Sequence, residues 1–265
     1  MRFALRLFLL SPLAAILACA AGTSSASTAY DLSGNWEADA TIVTNLAPTK
    51  FAGALQVTSG SISGTLNTSI LFPTSIITTD GETGCAVDTL TAVAVTGTIN
   101  SSGDLTLTVP FGASNGTATI TATIGNPQTP TTGSYQIVGG PCATPPTAIT
   151  ITQYAPVAGT YTGVLASGTE TVPATVTFTQ SSTPDATGEF PLSGTITLNG
   201  TCSLGTIFGA GSVRGSLISA STPYPGNTQF YGTINPAAST IAAIYYVYGT
   251  SDGCGATFQG TLTRQ

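Results

Sequence analysis

Apolar residues and threonines alternate along this chain with a period of two. Leu105, Leu107 and Val109 alternate with Asp104, Thr106 and Thr108; Ala118, Ile120, Ala122 and Ile124 with Thr117, Thr119, Thr121 and Thr123; Ala174, Val176 and Phe178 with Thr175, Thr177 and Thr179. Successive side chains on a strand point to opposite faces, so each segment has one apolar face and one hydroxyl face. Such strands suit antiparallel sheets with one side on a core and the other in water. No window after residue 20 carries a helical repeat. Turn signals recur between the strands, as in Asn100-Ser101-Ser102-Gly103, Asp80-Gly81, Pro225-Gly226-Asn227 and Ser251-Asp252-Gly253. The phrase Gly-Thr-Leu/Ile begins at Gly64, Gly97, Gly194, Gly205, Gly232 and Gly260. Glycine weakens a strand unless it permits a bend, and sheets need bends to curl and close. The expected fold is all-β, with tandem antiparallel β-barrel or β-sandwich domains.

The chain reads as a duplication. One half opens Leu32-Ser33-Gly34-Asn35-Trp36 and the other Val157-Ala158-Gly159-Thr160-Tyr161. Gly34 precedes Cys85 by 51 residues and Gly159 precedes Cys202 by 43; Cys85 precedes Cys142 by 57 and Cys202 precedes Cys254 by 52. The expected domains are residues 31–155 and 156–265. Four cysteines in an exported chain imply two disulfides. One per half gives Cys85–Cys142 and Cys202–Cys254, one of three possible pairings. Each closed loop would stabilise its domain by about 3–4 kcal/mol in the chain-entropy model.

The first residues have the form of an export signal. Arg2 and Arg6 precede an apolar run from Leu7 to Leu17, too short for the roughly 20 residues that span a bilayer. Ile16-Leu17-Ala18-Cys19 resembles the lipobox of bacterial lipoproteins. That resemblance implies a signal peptide at 1–18, diacylglycerol on Cys19, a flexible tether at 19–30 and a place in the bacterial cell envelope, on the outer membrane or the periplasmic face. Ala18-Cys19-Ala20 also fits an ordinary signal-peptidase site, which would discard Cys19 and yield a secreted protein.

From Cys19 onward three basic residues, Lys50, Arg214 and Arg264, stand against eleven acidic ones, a net charge of −8. No basic patch is available for nucleic acid or anionic lipid. The chain has no histidine and no C-x-x-C pair, so neither a metal site nor a cofactor is expected.

Gly34-Asn35-Trp36 resembles the G-x-W opening of calycins, the lipocalin and avidin group. The resemblance implies closed barrels with a ligand cavity and a basic residue near the last strand packed across the tryptophan. Arg264 is the candidate, although it belongs to the other half, where Tyr161 replaces the tryptophan. The chain is also similar to threonine-rich bacterial lipoproteins with Gly-aromatic openings and one cysteine pair per repeat, a likeness that carries no activity with it.

Candidates for chemistry are few. Gly112-Ala113-Ser114-Asn115-Gly116 matches G-x-S-x-G, but a nucleophile elbow needs a strand–turn–helix and a histidine base, so a hairpin turn is expected. Glu37 with Asp39, and Asp80 with Glu82, are carboxylate pairs of the kind glycosidases use. Glu37 and Asp39 alternate with Trp36, Ala38 and Ala40 and are expected on a solvent face; Asp80 and Glu82 fall in a turn. The candidate ligand contacts are Trp36, Tyr161, Phe230, Tyr246 and Tyr248, for each of which core packing is the competing role. An integral outer-membrane barrel is disfavoured by the tether, the disulfides and the lack of aromatic girdles. The expected function is a lipid-anchored, non-catalytic binding or structural module whose ligand is a small molecule, a glycan or a protein. The alternative is a carboxylate-based, glycosidase-like hydrolase.

Overall fold

A computed structural model describes residues 31–40, 50–69, 92–111, 116–140, 143–199, 205–222, 228–247 and 256–265. These residues form two closed eight-stranded antiparallel barrels in tandem, with strands in simple up-and-down order. The first comprises β1 (Gly34–Ala40), β2 (Lys50–Thr58), β3 (Ser61–Ser69), β4 (Val93–Ile99), β5 (Asp104–Pro110), β6 (Thr117–Thr123), β7 (Thr131–Val138) and β8 (Thr147–Tyr154). The second comprises β9 (Gly159–Ser167), β10 (Glu170–Gln180), β11 (Phe190–Leu198), β12 (Gly205–Arg214), β13 (Leu217–Ser221), β14 (Thr228–Ile234), β15 (Thr240–Val247) and β16 (Ala256–Arg264). β8 closes on β1 in the first barrel and β16 on β9 in the second. Closure leaves neither sheet an unpaired edge.

The alternating pattern decides which side faces in. Leu105, Leu107 and Val109 of β5 are buried, while Asp104 and Thr106 are exposed. Gly64, Gly97, Gly194, Gly232 and Gly260 of the Gly-Thr-Leu/Ile phrase take inward positions, where a side chain would meet the neighbouring strand. A Cβ at Gly97 would lie 2.2 Å from the carbonyl oxygen of Thr106, and one at Gly260 2.3 Å from that of Val164. Each absent Cβ lets the adjacent strand coil inward, the bend that curls a sheet into a narrow barrel.

Both interiors are packed. In the first barrel Phe51 stacks on Phe111 at 6.0 Å and meets Tyr135 edge-on at 5.5 Å. In the second, Phe178 contacts Tyr161, Phe208 and Phe230 at 5.5–6.3 Å. These centroid distances suit stacked and edge-to-face pairs.

The two openings correspond residue by residue. Leu32 and Val157 are fully buried two positions before Gly34 and Gly159, and both glycines have positive φ, +135° and +141°. Trp36 pairs across the closing seam with Gln153, and Tyr161 with Arg264. The closing-strand side chain then reaches over the glycine to the same carbonyl in each barrel. Gln153 Nε2 donates to Ser33 O at 2.8 Å, and Arg264 Nη2 donates to Ala158 O. Arg264 therefore covers the aromatic of its own half, and Trp36 has a neutral glutamine in the corresponding place.

Candidate functional site

The barrels meet along the outer face of β1 and β2, and this junction corrects the solvent-face expectation for Glu37. Glu37 does point out of the first barrel, but the β12–β13 turn of the second covers it, leaving the residue 8% exposed. Its Oε1 pairs with Lys50 Nζ at 2.9 Å, and its Oε2 accepts from Ser216 N at 2.9 Å and Ser216 Oγ at 2.8 Å. A buried carboxylate needs such partners to offset its lost hydration. Two positions earlier, Asn35 Nδ2 donates to Gly215 O at 2.8 Å while its Oδ1 accepts from Gly215 N. One side-chain amide thus satisfies a whole backbone unit of the other barrel.

Gly215 has φ +55°, and a Cβ there would lie 2.5 Å from Glu37 Oε2. The turn fits the junction because this residue has no side chain. Tyr154, at the end of β8, lies beside Ser216 and Glu37; burial first, then the charge of Glu37, drives the pKa of its hydroxyl well up. A second strap joins β3 to the loop before β11, where Asn67 Nδ2 donates to Thr187 O at 2.7 Å. Asp185 shapes that loop by accepting from Thr187 N, Thr187 Oγ1 and Glu189 N at 2.7–3.0 Å.

Two clefts border the junction. One, of about 500 Å³, is lined by Glu37, Asp39, Thr150, Thr152 and Tyr154. Asp39 is exposed there, and its pKa is raised by partial burial and by neighbouring Glu37, against the pull of Lys50. The other, of about 440 Å³, runs from Gln56, Gln128 and Gln153 of the first barrel to Gln180, Ser181 and Phe190 of the second.

The ligand-contact candidates do not converge. Trp36, Tyr161 and Phe230 are 0–2% exposed inside their barrels. Trp36 Nε1 donates to Leu32 O, and Tyr161 OH donates to Ala238 O at 2.8 Å. Tyr245 fills the interior, whereas Tyr246 lies on the outer face, edge-on to Tyr231 at 5.9 Å. Tyr231, Leu217 and Ile244 border an outer-face groove of about 530 Å³ with the Arg214–Glu189 ion pair. The segment at 112–116 joins paired strands β5 and β6, a connection between neighbours in one sheet. Cys19, Cys85, Cys142, Cys202, Cys254, Tyr248, Asp80 and Glu82 lie outside the described residues, as do residues 112–115. Among the described residues no group of three or more metal-ligating side chains comes together.

Sequence reasoning missed the junction, although Asn35, Glu37 and Lys50 were visible as polar residues on strand-like segments. The only available signal was that two of the few charged side chains, Glu37 and Lys50, belong to neighbouring strands. Compared with known proteins, the chain matches no family model, no curated protein and no solved structure.

Proposed function

We propose that this chain is a lipid-anchored module of a bacterial cell envelope that binds or scaffolds rather than catalyses. The observation that carries the non-catalytic half of this reading is the state of Glu37. Both its oxygens are engaged, by Lys50 of the neighbouring strand and by Ser216 of the second barrel, and the bonds to Ser216 join the barrels. A carboxylate committed in this way would have to give up contacts that join the barrels in order to act on a substrate. The barrel interiors support the same reading, since aromatic and aliphatic side chains occupy the space a lipocalin-type ligand would take. The paired Gly-x-aromatic openings, each covered from the closing strand, support a calycin-like origin for both halves.

The anchor rests on the lipobox at Cys19, and the stapling on the four remaining cysteines. Intact mass of the protein from a membrane fraction, before and after reduction, tests both. The expected result is a chain beginning at Cys19 with a lipid-sized excess and a gain of four hydrogens on reduction. A soluble product beginning at Ala21 would replace the anchor with secretion, and no gain on reduction would remove the disulfides.

The hydrolase reading has one observation in its favour: Asp39 and Glu37 line the same cleft. It requires Asp39→Asn to abolish a measurable glycosidase activity of the wild-type protein. The non-catalytic reading expects no such activity to lose.

A further inference from the structure

We infer that the 440 Å³ cleft between the barrels is a binding site for an uncharged, hydroxyl-rich ligand, a neutral oligosaccharide. This deepens the proposed binding role and rests on it.

The cleft has the size of a small-molecule site and lies between two domains, a common location for one. Its lining is unusual for this chain. Four of the eight glutamines in the sequence converge there, Gln56, Gln128, Gln153 and Gln180, and no lining residue is charged. Two of these amides are held in place by one atom each. Gln153 Nε2 is bound to Ser33 O at 2.8 Å, and Gln180 Oε1 accepts from Val157 N at 2.7 Å. That leaves the oxygen of one and the amino group of the other without a partner among the described residues. The side chains of Gln56 and Gln128 make no hydrogen bond among the described residues and are exposed. An amide both donates and accepts, as a sugar hydroxyl does, whereas a carboxylate or guanidinium offers only one of the two. Half-buried Tyr154 adds ring surface for the apolar face of a sugar.

The duplication points the same way. The seam position that covers the opening carries Arg264 in the second barrel and Gln153 in the first, and only the first faces the cleft. The charge is absent at the copy that lines the site. An extended peptide is a poorer fit, because both barrels are closed and offer no free strand edge for backbone pairing.

The test uses the full mature chain in a non-glycosidic detergent, titrated calorimetrically with maltotetraose, cellotetraose and chitotetraose. Tetragalacturonate serves as the anionic probe and a neutral Gly/Gln/Ala peptide as the competing class, and each sugar is recovered afterwards for analysis. The expected result is saturable binding of at least one neutral sugar and at least tenfold weaker binding of the anionic one. Gln56→Ala combined with Gln128→Ala should weaken neutral-sugar binding about tenfold or more while leaving the melting curve unchanged, since both side chains are exposed. Tyr231→Ala, in the outer-face groove, should bind like wild type. No saturation by any neutral sugar, binding of the peptide alone, or loss at Tyr231 but not at the glutamines would overturn the inference. Binding with recovered sugar cleaved would leave the cleft's ligand class standing and overturn the non-catalytic function instead.

Discussion

Glu37 and Lys50 form an ion pair whose side chains are each about 9% exposed, so the two charges stand or fall together. Removing one strands the other where little water reaches. Lys50→Met should therefore cost about 3–5 kcal/mol in urea unfolding, while Lys50→Met with Glu37→Gln should recover most of that loss. A double variant no better than the single one would mean that the pair is not coupled. Asp185 acts by a different route. Burial raises its pKa, but hydrogen bonds from Thr187, and from the backbone of Glu189, Thr187 and Gly188, outweigh it and hold the carboxyl below its ordinary value. A lowered folded pKa means that the unfolded chain binds more protons below about pH 4, so stability is full above that pH and falls as the pH drops through the folded value. Asp185→Asn should flatten the part of the acid-unfolding curve below pH 4, measured by circular dichroism against wild type.

At the scale of the strand, the inward glycines control closure. Gly97 sits where a Cβ would strike the Thr106 carbonyl, whereas a Cβ at Gly125, in the turn after β6, would meet nothing within 4 Å. Gly97→Ala should therefore destabilise the first barrel by about 1–3 kcal/mol through forced separation of β4 from β5. Gly125→Ala should stay within about 0.5 kcal/mol of wild type. Equal effects in denaturant melts would show that the close approach of strands is not what these glycines provide. The strands themselves were legible as residues: β5, β6 and β10 fall on the three segments where threonine alternates with apolar residues. The faces were legible too, because the period of two leaves only one way to bury Leu105, Leu107 and Val109 together.

At the scale of the molecule, the two barrels are docked by a small set of polar contacts around Gly215. Gly215→Ala adds a Cβ against Glu37 and Ala52 at a position with φ +55°, without touching either barrel interior. The expected outcome is two folded barrels that no longer dock, seen as a larger radius of gyration in solution scattering with unchanged strand content. An unchanged radius would place the stability of the junction elsewhere, for example in the Asn67–Thr187 strap. Undocking should also open the glutamine-lined cleft and lower any affinity measured there, which ties the architecture of the junction to its proposed use.

The sequence by itself determined the all-β class, the inward and outward faces and the repeated opening, because these depend on periods of two and on local turn chemistry. It left barrel and sandwich both open, since the choice depends on whether the last strand of each half returns to the first, as β8 does to β1 and β16 to β9. Only the tertiary structure decided the fate of Glu37. Alternation tells which side of its own strand a residue faces, and it contains no term for a second barrel arriving on that side. The same reason hid the cleft: its glutamines are scattered from position 56 to 180 and come together only when two closed surfaces meet.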